Sequence, residues 1–401
     1  MKPCCWLPCR VRARRAPRQA APELPVFLAA ARAGRRPDLS GGEPELNKLT
    51  VTLLSALAST SVLAGPNDVL HLYNWSGSLS DATIKRFEKS CDCRVVQDFY
   101  GDNEEMLAKL SAGAKGYDVV FPSSFVIQPM VKQKLLQPLN KQLIPNLRNV
   151  DPAYLNQSYD PGNRYEVPTV LSLTSVGYND VRLKKLGVDP TSWSVIFDPK
   201  VLARIKGKVT VLDSPREVFS AAMFYLGKDP NKATEADYRA AKDVIARAKP
   251  YWAAFSNASY LKELAVGNIW VALGYSTEFH QAAEDAKAAR RPFKVAMSAQ
   301  REGNELGVDT MAILASAKRP DLAHKFINFM LDGKNAAELT NLNGATNPVK
   351  TAEPFFRADL KANPVVNPTP QTVAKWTVLR EQTPKERRLM NRLWTQVKAG
   401  H

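Results

Sequence analysis

From Asn67 onward, apolar runs of strand length alternate with longer stretches whose apolar positions recur at helical spacing. Residues 69–73 form the first predicted strand, which stops at Asn74-Trp-Ser76. Ser80 is a good N-cap for a helix over 81–89, with Ile84 and Phe87 on its apolar face. A second strand follows over 94–99. Asp102 with Glu105 three positions on reads as a capping box for a helix through Met106, Leu107 and Leu110, which Gly113 and Gly116 end. Residues 117–121 form a third strand that breaks at Pro122-Ser123-Ser124, before a helix carrying Met130 and Leu135. Strand–helix alternation on short connections implies a mainly parallel sheet.

Residues 136–165 are rich in proline and loop-like, and a second α/β run follows. It comprises strands at 169–178, 208–212 and 268–273, a short helix at 191–193, and helices at 216–226, 235–248 and 276–288. Strands at 293–297 and 308–315, helices at 323–331 and 334–340, and an amphipathic helical tail from Pro370 complete the pattern. The tail carries Trp376, Leu379, Met390, Leu393 and Trp394. A chain of 401 residues exceeds what one core accommodates and suits two domains.

The N-terminal part is of another kind. Asn47-Lys48, a dozen mostly apolar residues and Val62-Leu63-Ala64 have the three parts of a secretory signal over 47–64, with cleavage after Ala64. The segment 1–46 lacks periodicity and reads as an upstream extension, with initiation near Leu46. No stretch reaches the roughly 20 apolar residues of a membrane span, so an exported, soluble chain in the periplasm is expected.

The formal net charge of +16 is uneven, with about +6 before residue 49 and about +10 spread over the remainder. No basic stripe with interleaved aromatics points to nucleic acid. Cys4, Cys5 and Cys9 fall in the first nine residues, leaving Cys91 and Cys93, whose Cys-x-Cys spacing leaves open both buried thiols and a strained bridge. The four histidines are scattered, and no zinc site can be assembled. Nucleophile elbow, phosphate loop, dinucleotide fingerprint and His-Glu-x-x-His are all missing. The chain therefore reads as a non-enzyme without cofactor.

What it offers instead is strand tips bearing aromatic, hydroxyl and acidic groups. Trp75 and Ser76 follow the first strand, and Ser123, Ser124 and Phe125 the third. Asp213-Ser-Pro-Arg-Glu217 and Gly274-Tyr-Ser-Thr-Glu278 follow two later ones, and Asp309 opens another. Ligands of open α/β sheets bind beyond such strand ends. Carboxylates beside aromatic faces suit an organic cation, which gains from ion pairing and from cation–π contact.

Tyr73-Asn-Trp-Ser76, Gly116-Tyr-Asp-Val-Val-Phe-Pro-Ser-Ser124, Asp160-Pro-Gly-Asn-Arg-Tyr-Glu-Val-Pro168, Asp213-Ser-Pro-Arg-Glu-Val-Phe219 and Val308-Asp-Thr-Met-Ala-Ile313 come in a telling order. In order and spacing, 67–401 resembles the bacterial periplasmic polyamine-binding proteins, the spermidine/putrescine receptors of ABC transporters. The resemblance implies a two-lobed type II periplasmic binding-protein fold. Its lobes would be 65–173 plus 308–353 and 174–307 plus 354–401, with the ligand cleft between them. It implies that Trp75, Ser76, Ser123, Phe125, Glu217, Tyr275, Glu278 and Asp309 line that cleft. It further implies a monomer that captures a polyamine and delivers it to permease subunits in the inner membrane. Three aromatic positions of the family are replaced here, by Ser78, Gly307 and Gly344. A wider pocket is expected, with weak binding of putrescine itself. The rivals are a receptor for another organic cation, an amino-acid derivative or a metal–organic anion, and an enzyme on the same scaffold.

Overall fold

The computed structural model of the protein describes residues 68–400, so the expected extension and signal segment, 1–64, lie outside the described residues. Ten strands form one connected sheet: β1 (Val69–Trp75), β2 (Arg94–Tyr100), β3 (Val119–Val120), β4 (Glu166–Asn179), β5 (Val209–Val211), β6 (Ala254–Phe255), β7 (Val271–Tyr275), β8 (Val295–Ser298), β9 (Asn304–Ile313) and β10 (Trp376–Thr377). Their order is β2-β1-β3-β9-β4-β7-β5-β6, with β10 beside β9 and β8 beside β4. β1 pairs in parallel with β2 and β3, and β5 in parallel with β6 and β7, as short helical crossovers require.

The long strands β4 and β9 join these two groups. They run antiparallel to each other from Glu166↔Ala312 to Leu173↔Leu306. Beyond that, β4 turns its edges to β7 and β8 over Thr174–Asn179, while the far end of β9 pairs with β3. The apolar cores follow this division. One group packs Leu70, Leu72, Phe87, Ile313, Phe326 and Ile327 beneath β1 and β3. Another packs Trp193, Phe197, Phe219, Ile245, Leu273 and Phe279 around β5 and β7. Between them Leu171, Leu173, Leu306, Val308 and Trp376 cover the back of the β4–β9 pair.

Local signals explain most of the elements. The Ser80 hydroxyl accepts the Thr83 N–H at 3.1 Å and starts the helix Asp81–Cys91. Asp102 caps the helix Asn103–Ser111 by accepting from the Glu105 N–H at 2.7 Å. The expected reciprocal bond differs: Glu105 reaches one residue further, to the Gly101 N–H. Cys91 and Cys93 are joined in a disulfide, with Asp92 between them in the left-handed conformation and Cα atoms 5.2 Å apart, inside the range a bridge accepts.

Several bounds differ from the expected ones. Both central strands are longer, because the β4–β9 ladder extends pairing past polar residues that interrupt the apolar pattern. The tail is not one helix. Trp376 pairs with Asn304 as β10, and the amphipathic helix begins at Pro384, with Thr383 and Glu386 forming a true capping box. Leu135 lies beyond the helix Ser124–Lys132, and a helix Tyr260–Val266 stands where no element is expected.

Gly177 shows how tightly the site's support is packed. A Cβ there would lie 2.2 Å from the Phe279 ring, so only glycine lets the helix Ser276–Ala288 rest on β4. That contact fixes the neighbouring Glu278. Among the described residues no helix is long and apolar enough to cross a membrane, and no group of three or more His, Cys, Asp or Glu is placed to hold a metal.

Candidate functional site

A cavity of about 740 Å³ opens where the two groups of strands meet. All eight residues singled out from the sequence line it: Trp75, Ser76, Ser123, Phe125, Glu217, Tyr275, Glu278 and Asp309. They reach it from β1, the loop after it, the turn after β3, the end of β7, the N-terminal turns of three helices, and β9.

The aromatic wall begins with Trp75, the last residue of β1. Its indole leans on the buried Tyr100 ring, with centroids 4.5 Å apart, and Tyr100 is held by its hydroxyl on the Phe121 carbonyl at 2.5 Å. Burial and the nearby Asp309 charge push the Tyr100 phenol far up, so it stays protonated and rigid. The Trp75 Nε1 is buried and has no partner in the structure. Ser76 lies exposed at the rim.

Asp309 sits on β9, on the face that also carries Glu305 and Gly307, while Leu306 and Val308 point to the core behind. Its Oδ1 accepts the Ser123 hydroxyl at 2.6 Å, and Asn103 holds that serine through two bonds of 3.1 Å. Burial pushes the Asp309 carboxyl up to about 6, against the pull of the Ser123 bond.

The opposite wall presents Glu217 and Glu278 from the first turns of two helices, Pro215–Tyr225 and Ser276–Ala288. Glu217 accepts from the Tyr275 hydroxyl at 3.1 Å and from the Ser214 hydroxyl. Burial, with the Glu217 charge behind it, raises the Tyr275 phenol and keeps it a donor. Glu278 has a buried oxygen without a partner, and burial pushes its carboxyl up to about 7. Carboxyls held this high in a cavity mark unmet charge, and a bound cation would satisfy it.

Two charged cavity residues outside the expected set, Glu305 and Arg216, form a pair. Glu305 receives the Arg216 guanidinium at 3.3 Å and the Ser220 hydroxyl at 2.7 Å, and burial raises its carboxyl. Alternation along β9 carries the signal, since Glu305, Gly307 and Asp309 share one face. Placing the strand's start at Val308 hid it. Arg216, next to Glu217 in sequence, pairs with Glu305 and lies over the Phe125 ring at 5.6 Å.

The three replaced aromatic positions differ in place. Ser78 and Gly307 line the cavity. Gly344 does not: it caps the helix Gly333–Asn343 in the left-handed conformation, with His280 packed where its Cβ would be. The expectation of three missing walls is corrected to two, since His280 fills the space a side chain at this helix end would need.

The family profile described as "Bacterial extracellular solute-binding protein" matches residues 82–368. A "Putrescine/cadaverine-binding protein" of Pseudomonas aeruginosa is 45% identical over 346 residues, covering 86% of this chain and 98% of the relative. The "Putrescine-binding periplasmic protein PotF" of Escherichia coli is 35% identical over 366 residues, covering 88% and 99%. Among solved structures, the spermidine/putrescine ABC transporter substrate-binding protein PotD of Streptococcus pneumoniae superposes with a TM-score of 0.77. It is 24% identical and covers 83% of this chain and 99% of its own, so it speaks for the α/β periplasmic binding-protein fold. With strands, cavity and relatives in agreement, the chain belongs to the bacterial extracellular solute-binding proteins, a family of binding proteins and not of enzymes.

Proposed function

We propose that the protein is a polyamine receptor of an ABC import system. It captures a short diamine in the cavity and presents it to permease subunits in the inner membrane. One observation carries the reading: Glu217, Glu278 and Asp309 reach one cavity from three different elements, beside Trp75 and Tyr275. An ammonium buried without a counter-charge is very costly, so each end of a diamine needs a carboxylate. Aromatic faces cover the methylenes between them.

The names of the relatives support the ligand class, and the two most similar of those described above carry putrescine in theirs. With Gly344 outside the cavity, only Ser78 and Gly307 widen it, and a diamine of four or five carbons fits the reading best. Export to the periplasm accords with the signal read over 47–64 and with the relatives' periplasmic names.

In this reading the two groups of strands, with the boundaries read from the sequence, are lobes that close on the ligand. β4 and β9 are two of the segments that cross between them. A ligand that touches both sides favours the closed state, since it shifts the equilibrium only by its differential affinity.

Titration calorimetry of the mature chain with putrescine, cadaverine, spermidine, spermine and a panel of amino acids tests the assignment. One-to-one binding of a diamine at about 1 µM or tighter, near −8 kcal/mol, is expected. Heat from amino acids with none from any polyamine would overturn it in favour of the amino-acid rival.

A further inference from the structure

Among the described residues lining the cavity, Arg216 alone is basic, and every group it touches has a place in the ligand's space. Its side chain is a quarter exposed, and its guanidinium meets the Glu305 carboxylate, lies over Phe125 from the opposite wall and donates to the Leu379 carbonyl at 3.2 Å. The chain thus holds a cation of its own against an acid, beside an aromatic face. This is the arrangement it offers a ligand elsewhere in the same cavity.

Glu305 and Asp309 stand four residues apart on one face of an extended strand, roughly 13 Å along it at ~3.3 Å per residue. Between them Gly307 adds no side chain. A four-carbon diamine anchored at Asp309 is too short to reach Glu305. A triamine approaches that reach, and would find the carboxylate already occupied.

We propose that Arg216 is a built-in counter-ion for Glu305, occupying the place of a further ligand ammonium, and that this pair sets the preference for diamines over longer polyamines. The inference rests on the polyamine reading of the cavity and adds its length selection. Freed of Arg216, the Glu305 carboxylate becomes a further ammonium site, and the space of the guanidinium becomes room for an aminopropyl arm. Freed of Glu305, the guanidinium stands uncompensated beside the ligand and repels the most highly charged amines most strongly.

The test is the ratio of spermidine to putrescine affinity in the wild type, Arg216→Gln, Glu305→Gln and the double variant, with circular-dichroism melts to confirm folding. Arg216→Gln is expected to move the ratio toward spermidine by roughly tenfold or more, the worth of one charge-assisted contact. Glu305→Gln should move it the other way, and the double variant should return it near the wild type. Unchanged ratios in folded single variants would overturn the proposal, as would a shift in the double variant equal to that in Arg216→Gln. If Arg216→Gln fails to fold with its buried acid unpaired, Glu305→Gln alone still decides. Absence of any polyamine binding by the wild type would instead remove the reading of the cavity itself.

Discussion

The Ser123 hydroxyl donates to the Asp309 carboxylate at 2.6 Å across 186 positions of chain, where the turn after β3 forms a single bridge with β9. One carboxylate oxygen is thereby fixed from one side. The group is aimed into the cavity before any ligand arrives, and little ordering is left for binding to supply.

Asp309→Asn keeps the shape and the Ser123 bond but removes the charge. Loss of a buried ion-pair partner of this kind costs about 2–5 kcal/mol, so diamine affinity is expected to fall by roughly two orders of magnitude in titration calorimetry. Ser123→Ala, which frees the carboxylate without removing it, should cost less.

Trp75→Ala removes the aromatic face at the end of β1. Neither Ser78 nor Gly307 can replace it, and the expected loss is roughly 100-fold, as for a buried aromatic anchor. Calorimetry beside a thermal melt separates lost contact from lost fold. Near-wild-type affinity would place the ligand elsewhere.

Binding should weaken on acidification. Burial pushes the carboxyls of Glu278 and Asp309 up to about 7 and about 6, and both must ionise to hold an ammonium. Diamine affinity is therefore expected to fall as pH drops from 8 to 5.5, with protons released on binding near pH 6.5. Calorimetry in two buffers of different ionisation enthalpy detects that release.

The unliganded protein should respond in the opposite sense. Burial pushes Glu166, at the start of β4, up to about 8, with Asn163 donating to one oxygen at 2.7 Å and the other unpartnered. A carboxyl raised from its ordinary value of 4.5 costs stability as pH climbs through 4.5–8, since the unfolded chain ionises first. Glu166→Gln should therefore gain in Tm relative to the wild type at pH 8 and lose that gain by pH 5.

Much of the fold was legible because its signals are local. Ser80 and Asp102 cap where a polar side chain precedes apolar periodicity, and β1, β5 and β7 are apolar runs closed by turn residues. The misread elements depend on distant partners. Trp376 has helical spacing to its neighbours but is drawn into a strand by the edge at Asn304, and β9 extends back through Glu305 because β4 lies alongside to receive its hydrogen bonds.

For the site, the sequence by itself determined the chemistry: acids and aromatics at strand tips, no catalytic motif, and an order of motifs that resembles polyamine receptors. Side-chain type and strand-end position are properties of the chain and need no partner to be read. Only the tertiary structure decided which of those groups are unmet and which are already answered. Arg216 neighbours Glu217 in sequence yet pairs with Glu305, and Gly344 serves a helix end instead of a missing wall. Such assignments depend on distances between elements far apart in the chain, which packing sets and local pattern does not encode.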